Sequence, residues 1–329
     1  MKPPGSIGRR AAVVGLAVAL GATGAVARGG DDSKGKRVIT RYGTILKDGG
    51  KIVDDEGRGK ALATGHDYRI FRVYRVERAE ADRLLLVAEN AAVHGWVRSH
   101  EVIAYDKAID YFTSELRVRS AADCAPLYNA RGNVYLDRKQ FDEAIADFDA
   151  ALRIDPKAAV VHNNRGVARA ALKEFDRAIA DYSEAIRLDP RYTVALNNRA
   201  AAYVASGRYD EAIADDSEIV RIDPHNAWGY NNRAWIWATC PESKYRDGRK
   251  ALESSRRACE LNRWQNPFNL GTLAAASAEV GDFAAAVRWQ ERALAVLPHT
   301  DPARRSRFEA RLALYRRGQP YRETAPAAR

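Results

Sequence analysis

The feature that most constrains this chain is a short motif that recurs four times at a fixed interval of 34 residues. The copies begin at Asn129, Asn163, Asn197 and Asn231, and each is followed two residues later by an arginine. A fixed period of about 20–50 residues is typical of proteins built from stacked structural repeats. Because one such repeat cannot bury its own apolar face, its neighbours must cover it. The sequence therefore predicts an array of stacked repeats.

Each repeat contains two stretches whose apolar residues follow helical spacing. In the first repeat, Tyr128 and Tyr135 lie seven residues apart, and Phe148 and Leu152 lie four apart. These intervals place the apolar groups on one side of each helix. Pro156 ends the second stretch, because proline cannot continue a helix and also restricts the residue before it. We therefore expect one pair of helices in each repeat.

The pattern resembles the tetratricopeptide repeat family, which places small, aromatic, alanine and proline residues at set positions of a 34-residue unit. The first repeat supplies Tyr128, Gly132, Tyr135, Ala144, Phe148, Ala151 and Pro156 at those positions. The resemblance implies an all-α superhelical solenoid. Its five units would be residues 125–158, 159–192, 193–226, 227–266 and 267–300, with a linker or capping helix at 105–124, a C-terminal capping helix at 301–318 and a disordered tail at 319–329.

Three repeats depart from the family pattern. Arg169 replaces an aromatic residue in the second repeat, and Asp216 and Ile219 make the second helix of the third repeat atypical. The fourth repeat is longer than the others, with extra residues around 239–248. Inserted loops on solenoids are often functional, although they are also tolerated without a function.

Residues 1–30 have the features of a secretory signal peptide. Basic residues precede an apolar run over residues 11–20, and an Ala-x-Ala sequence follows at residues 25–27. The apolar run is shorter than the about 20 residues that cross a membrane. We expect export to the periplasm or cell envelope, with an uncleaved N-terminal anchor as the alternative. Residues 31–36 are polar and form a linker.

Residues 37–104 contain several short stretches rich in β-forming residues. Residues 68–76 alternate polar and apolar side chains, as a half-buried strand does. Several short strands within about 70 residues indicate a small barrel. Together with Gly95-Trp96-Val97, this stretch resembles a bacterial SH3-type domain. The fold class is therefore α+β multidomain, with an N-terminal SH3-like β-barrel before the helical solenoid. Exported SH3-like modules often bind cell-wall peptides, so peptidoglycan is one partner the resemblance implies; packing of Trp96 is the alternative.

The resemblance also implies that the first helices of the repeats line a concave groove that receives a peptide or protein partner. Amides on these helices could pair with the backbone of an extended peptide, since they both donate and accept hydrogen bonds. Bonds between neighbouring helices are an equal alternative for the amides, and packing is the alternative for the tryptophans, which are effective anchors in binding pockets. The candidate groove residues are Asn129, Asn133, Asn163, Asn197, Asn231, Trp228 and Trp235.

The sequence contains no recognisable catalytic, metal or cofactor motif. The three cysteines lack metal-ligand spacing. Cys240 and Cys259 fall in one repeat, and both a disulfide between them and two free thiols are compatible with the sequence. The formal net charge of +10 belongs mainly to the ends of the chain, so a basic nucleic-acid-binding face on the body is not expected. Two functions remain: a non-enzymatic scaffold that binds a protein partner in the groove, or a wall-binding protein that acts through the SH3-like domain.

Overall fold

The computed structural model describes residues 36–40, 73–80, 83–88, 94–98, 102–298 and 301–326. The predicted signal peptide or anchor and all but the last residue of the predicted linker lie outside this part of the chain. The chain divides into two compact units at the boundary between Asp189 and Pro190. Within the described residues, every helix is too short or too polar to cross a membrane.

The first unit begins with five antiparallel strands in the order β4-β3-β2-β1-β5. In this sheet Val38 lies opposite both Tyr74 and Ala104, and Leu85 lies opposite Trp96. The described strands show no pairing between β4 and β5, so the closed SH3-like barrel predicted from the sequence is not supported. The strands are β1 (Arg37–Thr40), β2 (Val73–Glu80), β3 (Arg83–Ala88), β4 (His94–Arg98) and β5 (Val102–Ala104).

Five helices complete the first unit. A buried apolar cluster joins Ile39 of β1 to Phe112 of α1 and Leu127 of α2. The Asp137 carboxylate at the end of α2 accepts hydrogen bonds from both Arg37 and Tyr105, which ties the sheet to the first repeat. The helices are α1 (Ala108–Val118), α2 (Ala125–Asp137), α3 (Phe141–Ile154), α4 (Ala159–Ala171) and α5 (Phe175–Leu188).

Helices α2 with α3, and α4 with α5, form the helical pairs that the periodicity predicts. Close approach within each pair depends on a glycine in the first helix. A Cβ atom added to Gly132 would lie 2.7 Å from the ring of Phe148, and one added to Gly166 would lie 2.6 Å from the ring of Tyr182. The small residue of the family pattern therefore makes room for the aromatic ring of the partner helix.

The second unit consists of seven helices. The pairs α6–α7 and α10–α11 are joined by three residues each, whereas eight residues join α8 to α9. Part of this longer loop folds back on α7, where the rings of Tyr245 and Tyr209 lie 5.2 Å apart. The helices are α6 (Thr193–Ala205), α7 (Tyr209–Ile222), α8 (Ala227–Thr239), α9 (Gly248–Leu261), α10 (Pro267–Glu279), α11 (Phe283–Val296) and α12 (Pro302–Arg316).

Helix α12 covers the last repeat, and the chain then continues past it without helical structure. The Asp301 side chain caps α12 by accepting a 2.9 Å hydrogen bond from the Arg304 amide, as the Asp-Pro start predicts. Phe308 and Tyr315 are buried against α10 and α11. The sequence predicts a disordered tail over residues 319–329, but residues 319–326 instead pack against α8 and α10.

Candidate functional site

In three of the four copies of the recurring motif, the arginine points between the two helices of its own repeat. Its guanidinium pairs with a buried aspartate 16 residues further on, at distances of 2.6–2.7 Å. In the fourth copy, Arg233 Nε instead donates to Ser254 Oγ over 2.9 Å. These arginines therefore hold each helical pair together, and they are not free cations of a groove. The pairs are Arg131–Asp147, Arg165–Asp181 and Arg199–Asp215.

The three aspartates differ in pKa because their partners differ. Burial raises the pKa of Asp147 and Asp215 above the ordinary value, although one arginine opposes the shift in each case. Burial acts on Asp181 too, but hydrogen bonds and positive charge from His162, Arg165 and Arg169 lower its pKa. Arg169, which replaces the family's aromatic residue, therefore adds a second cation to this pair.

Two of the candidate amides join neighbouring first helices. Asn164 Nδ2 donates to Asn129 Oδ1 over 3.0 Å, and Asn232 Nδ2 donates to Asn197 Oδ1 over 2.9 Å. Asn129 and Asn197 are buried, with 1% and 8% of their surface exposed. These two amides thus follow the structural alternative, in which the asparagine of one repeat binds that of the next.

Asn163 and Asn133 contribute less to an accessible surface than the sequence suggests. Asn163 is also buried, and its Nδ2 donates to Asn164 Oδ1 over 3.3 Å. Asn133 is half-buried in α2. The candidate tryptophans Trp228 and Trp235 lie in the second unit.

Asn231 differs from the other motif asparagines. Its Oδ1 is buried and has no hydrogen-bond partner among the described residues. The cause lies in the next repeat, where Thr272 stands at the position of Asn164 and Asn232, and its hydroxyl donates to the Phe268 carbonyl instead. The ladder of amides therefore ends at α8 with an unused acceptor.

Trp228 belongs to a row of exposed apolar side chains. It is the second residue of α8, and Val194 and Phe268 are the second residues of α6 and α10. Their exposed fractions are 61%, 46% and 44%, respectively. In the first unit the equivalent residues are buried or half-buried. We call Val194, Trp228 and Phe268 the apolar row.

Trp235 lies on the same face of α8 as Trp228, because seven residues make nearly two helical turns. The chain's own tail covers it: the ring centroids of Trp235 and Tyr321 are 5.9 Å apart, and Trp235 Nε1 donates to Glu323 Oε1 over 3.2 Å. Trp235 and Trp237 also both pack on a small buried cluster that contains Ala251. The sequence pattern carried no sign that the tail covers Trp235.

The two cysteines of the fourth repeat form no disulfide in this structure, and their thiols are not activated. Cys124, Cys240 and Cys259 are all buried and free, so the disulfide considered between Cys240 and Cys259 is absent. Burial raises the pKa of the Cys240 thiol and raises that of Cys259 to about 12, which suppresses the thiolate. The described part of the chain holds no cluster of His, Cys, Asp and Glu that could bind a metal ion.

Asp216 is a buried charged residue whose role the sequence did not predict. It occupies the position of Phe148 and Tyr182 in the third repeat and is 1% exposed. Asn232 Nδ2 donates to its Oδ1 over 3.3 Å. Burial raises the pKa of Asp216 well above its ordinary value, with the nearby Asp215 adding to the shift and Arg233 opposing it.

Comparisons with known proteins identify the repeats. Profiles described as "TPR repeat" and "Tetratricopeptide repeat" match residues 132–173, 159–192 and 182–214. Tetratricopeptide repeats are therefore present in this part of the chain, and the recognition of the repeats is confirmed. No curated protein sequence matches the chain.

Several solved structures are similar to the helical part. One is YrrB, entitled "a TPR protein with an unusual peptide-binding site", with 16% identity, 60% of this chain and 98% of that chain covered, and a TM-score of 0.46. MamA from Desulfovibrio magneticus RS-1 shows 18% identity over 54% and 97% of the two chains, with a TM-score of 0.47. A thermophilic TPR protein from Thermus thermophilus shows 19% identity over 64% and 100%, with a TM-score of 0.44.

The two classes of asparagine should respond differently to substitution. Asn197→Ala removes the shorter of the two hydrogen bonds of Asn232 Nδ2, which then keeps only its 3.3 Å bond to Asp216. We expect a loss of about 1 kcal/mol in the free energy of unfolding. Asn231→Ala removes an acceptor that has no partner, so its effect should be within about 0.5 kcal/mol. Urea unfolding followed by circular dichroism measures both. Equal destabilisation by the two variants would contradict the assignment.

Asp216 should make stability depend on pH. Because its pKa is raised in the folded state, the folded protein binds this proton more tightly than the unfolded one, and stability falls as pH rises above about 4. Asp216→Asn removes the charge and keeps an acceptor for Asn232. We expect the variant to melt a few degrees higher than the wild type at pH 8, and the gap to close near pH 4. A gap that is independent of pH would refute the raised pKa.

Proposed function

We propose that the chain is a non-enzymatic interaction scaffold whose first helices in the second unit bind an extended peptide segment of a protein partner. The observation that carries this proposal is the apolar row. Single exposed apolar side chains are normal on protein surfaces. Three of them at the equivalent position of successive repeats form an ordered surface, which is typical of an interaction site.

The chemistry of α8 supports an extended peptide as the partner. Trp228 offers a large flat surface for an apolar side chain, and aromatic residues of this kind often supply most of the binding energy at an interface. Asn231 lies one turn further along α8, but its Oδ1 is buried and does not face a partner within the described part of the chain. The row therefore offers apolar contacts at the equivalent position of successive repeats, and a peptide segment can meet them with its apolar side chains.

The scaffold should lose its partner when the apolar row is interrupted. In cells that produce the full chain fused to a proximity-labelling enzyme, we expect Trp228→Ala to reduce recovery of the principal partner at least about tenfold. Val118→Ala is the matched control, because Val118 is a 79% exposed apolar residue of α1 outside the row. An unchanged set of labelled proteins with a folded Trp228→Ala variant would reject the proposal.

A second candidate function is binding to the cell wall by an exported protein, through an SH3-like N-terminal module. It is favoured by the signal-like start and by the location of Trp96 in β4, a strand at the end of the described sheet. In this case the full chain should co-sediment with insoluble peptidoglycan, and Trp96→Ala should abolish that binding. A wild-type chain that stays in the supernatant would exclude this candidate.

A further inference from the structure

The tail after α12 lies on the face of α8 that carries Trp235. Glu323 donates its backbone N–H to the Thr239 carbonyl over 2.9 Å, and Arg322 Nη1 donates to the Ala238 carbonyl over 3.2 Å. Thr239 ends α8, so both acceptors belong to the last turn, whose carbonyls have no partner within the helix. The tail therefore supplies hydrogen bonds that α8 cannot make for itself.

Two negatively polarised groups surround the Arg322 guanidinium and favour a positive charge there. Its guanidinium forms an ion pair with Glu279 at the end of α10. The last carbonyls of α8 add the negative end of a helix dipole, which favours positive charge. Arg246 also pairs with Glu279, but it approaches the other carboxylate oxygen. The site thus selects a basic side chain at the tail's central position.

The neighbouring tail residues meet equally specific groups. The guanidinium of Arg311 lies 5.1 Å from the Trp235 ring centroid and 5.8 Å from that of Tyr321, so an aromatic side chain completes a stack around this cation. The indole N–H of Trp235 selects an acceptor, which Glu323 provides. Further along, the Pro326 ring lies close to Gly207, in the turn between α6 and α7. The contacted surface therefore reaches from this turn to the end of α10.

We propose that residues 319–326 are a built-in ligand of the groove, and that the partner is an extended peptide carrying the same aromatic–basic–acidic order, which must displace the tail. This inference rests on the proposed function, because it specifies which peptide chemistry the same face accepts. Trp235 contacts the aromatic and the acidic side chain. Glu279 and the Ala238 carbonyl at the end of α8 bind the basic one. The apolar row extends the same surface beyond the tail.

A tethered ligand competes strongly even when its intrinsic affinity is low. A short linker holds the tail at an effective concentration of the order of millimolar, so a free peptide of the same sequence is disfavoured in the intact chain. Removal of the tail should expose the site without altering the helices that form it. The exposed site should then bind a separate peptide with the sequence of the tail.

Fluorescence anisotropy with a labelled peptide of residues 319–326 tests this directly. A chain that ends at Gly318 should bind the peptide saturably, and the full chain should bind it at least about tenfold more weakly. A full-length Tyr321→Ala/Arg322→Ala variant should bind like the truncated chain, and it serves as the second test if truncation destabilises α12. Circular dichroism establishes that each protein is folded.

The ion pair provides a matched control within the same assay. Glu279→Gln should weaken binding of the wild-type peptide severalfold, but it should barely change binding of a peptide with Arg322→Ala. Such non-additivity is the sign of direct contact. Equal effects of Glu279→Gln on both peptides would mean that Glu279 does not bind the basic side chain of the peptide, and would overturn the proposed specificity.

The outcomes separate this inference from the function on which it rests. Folded tail-free variants that do not bind the peptide, or bind it no better than the full chain, overturn the built-in ligand. Capture of a partner that depends on Trp228 would still stand in that case. Light scattering that shows dimers of the full chain, lost on truncation, would assign the tail to the groove of a second copy and overturn the intramolecular form.

Discussion

A pair of helices from one repeat of this chain cannot bury its apolar face alone, and this constraint governs the rest of the structure. Glycines at positions 132 and 166 allow the two helices of a pair to approach closely. Apolar contact has little direction, so polar bonds fix the arrangement. Buried Arg–Asp pairs join the two helices of one repeat, and amide pairs such as Asn232–Asn197 join one repeat to the next. The conspicuous motif is therefore mainly structural.

The features that carry the proposed peptide site include departures from this regularity. The fifth repeat lacks the asparagine that would bind Asn231, so the amide ladder stops with an unused acceptor on α8. The same helix carries the exposed Trp228 and is followed by the longest connection between paired helices of the second unit. The end of the amide ladder and the most exposed residue of the apolar row therefore fall on the same helix.

Sequence periodicity was sufficient to predict the helical pairs, because it records which side of each helix is buried. It also placed Trp228 and Trp235 on one face of α8. It could not decide the roles of the asparagines, because Asn197 and Asn231 occupy the same position of the repeat. They differ only in the next repeat, where Asn232 donates to Asn197 but a threonine stands opposite Asn231. A two-residue alternation could indicate strands such as β2, but it does not determine whether a sheet closes into a barrel.

The tail escaped prediction for a different reason. Residues 319–326 have no apolar period, and such segments remain disordered unless another surface binds them. The partners of this segment are the end of α8, Glu279 and Trp235, which are distant from it in sequence. A short polar segment can be ordered by a few directional contacts, and these contacts leave no local signature. The same contacts define what an external peptide must reproduce.

Hydrogen–deuterium exchange of the full chain tests the central claim, that the Trp235 face of α8 and the end of α10 form a peptide site occupied by the tail. The Glu323 amide, bound to the Thr239 carbonyl, should exchange well below the rate of an unstructured peptide. An excess of free tail peptide should accelerate its exchange while the amides of α8 and α10 stay protected. Exchange of residues 319–326 at the unstructured rate, with or without the peptide, would contradict the account.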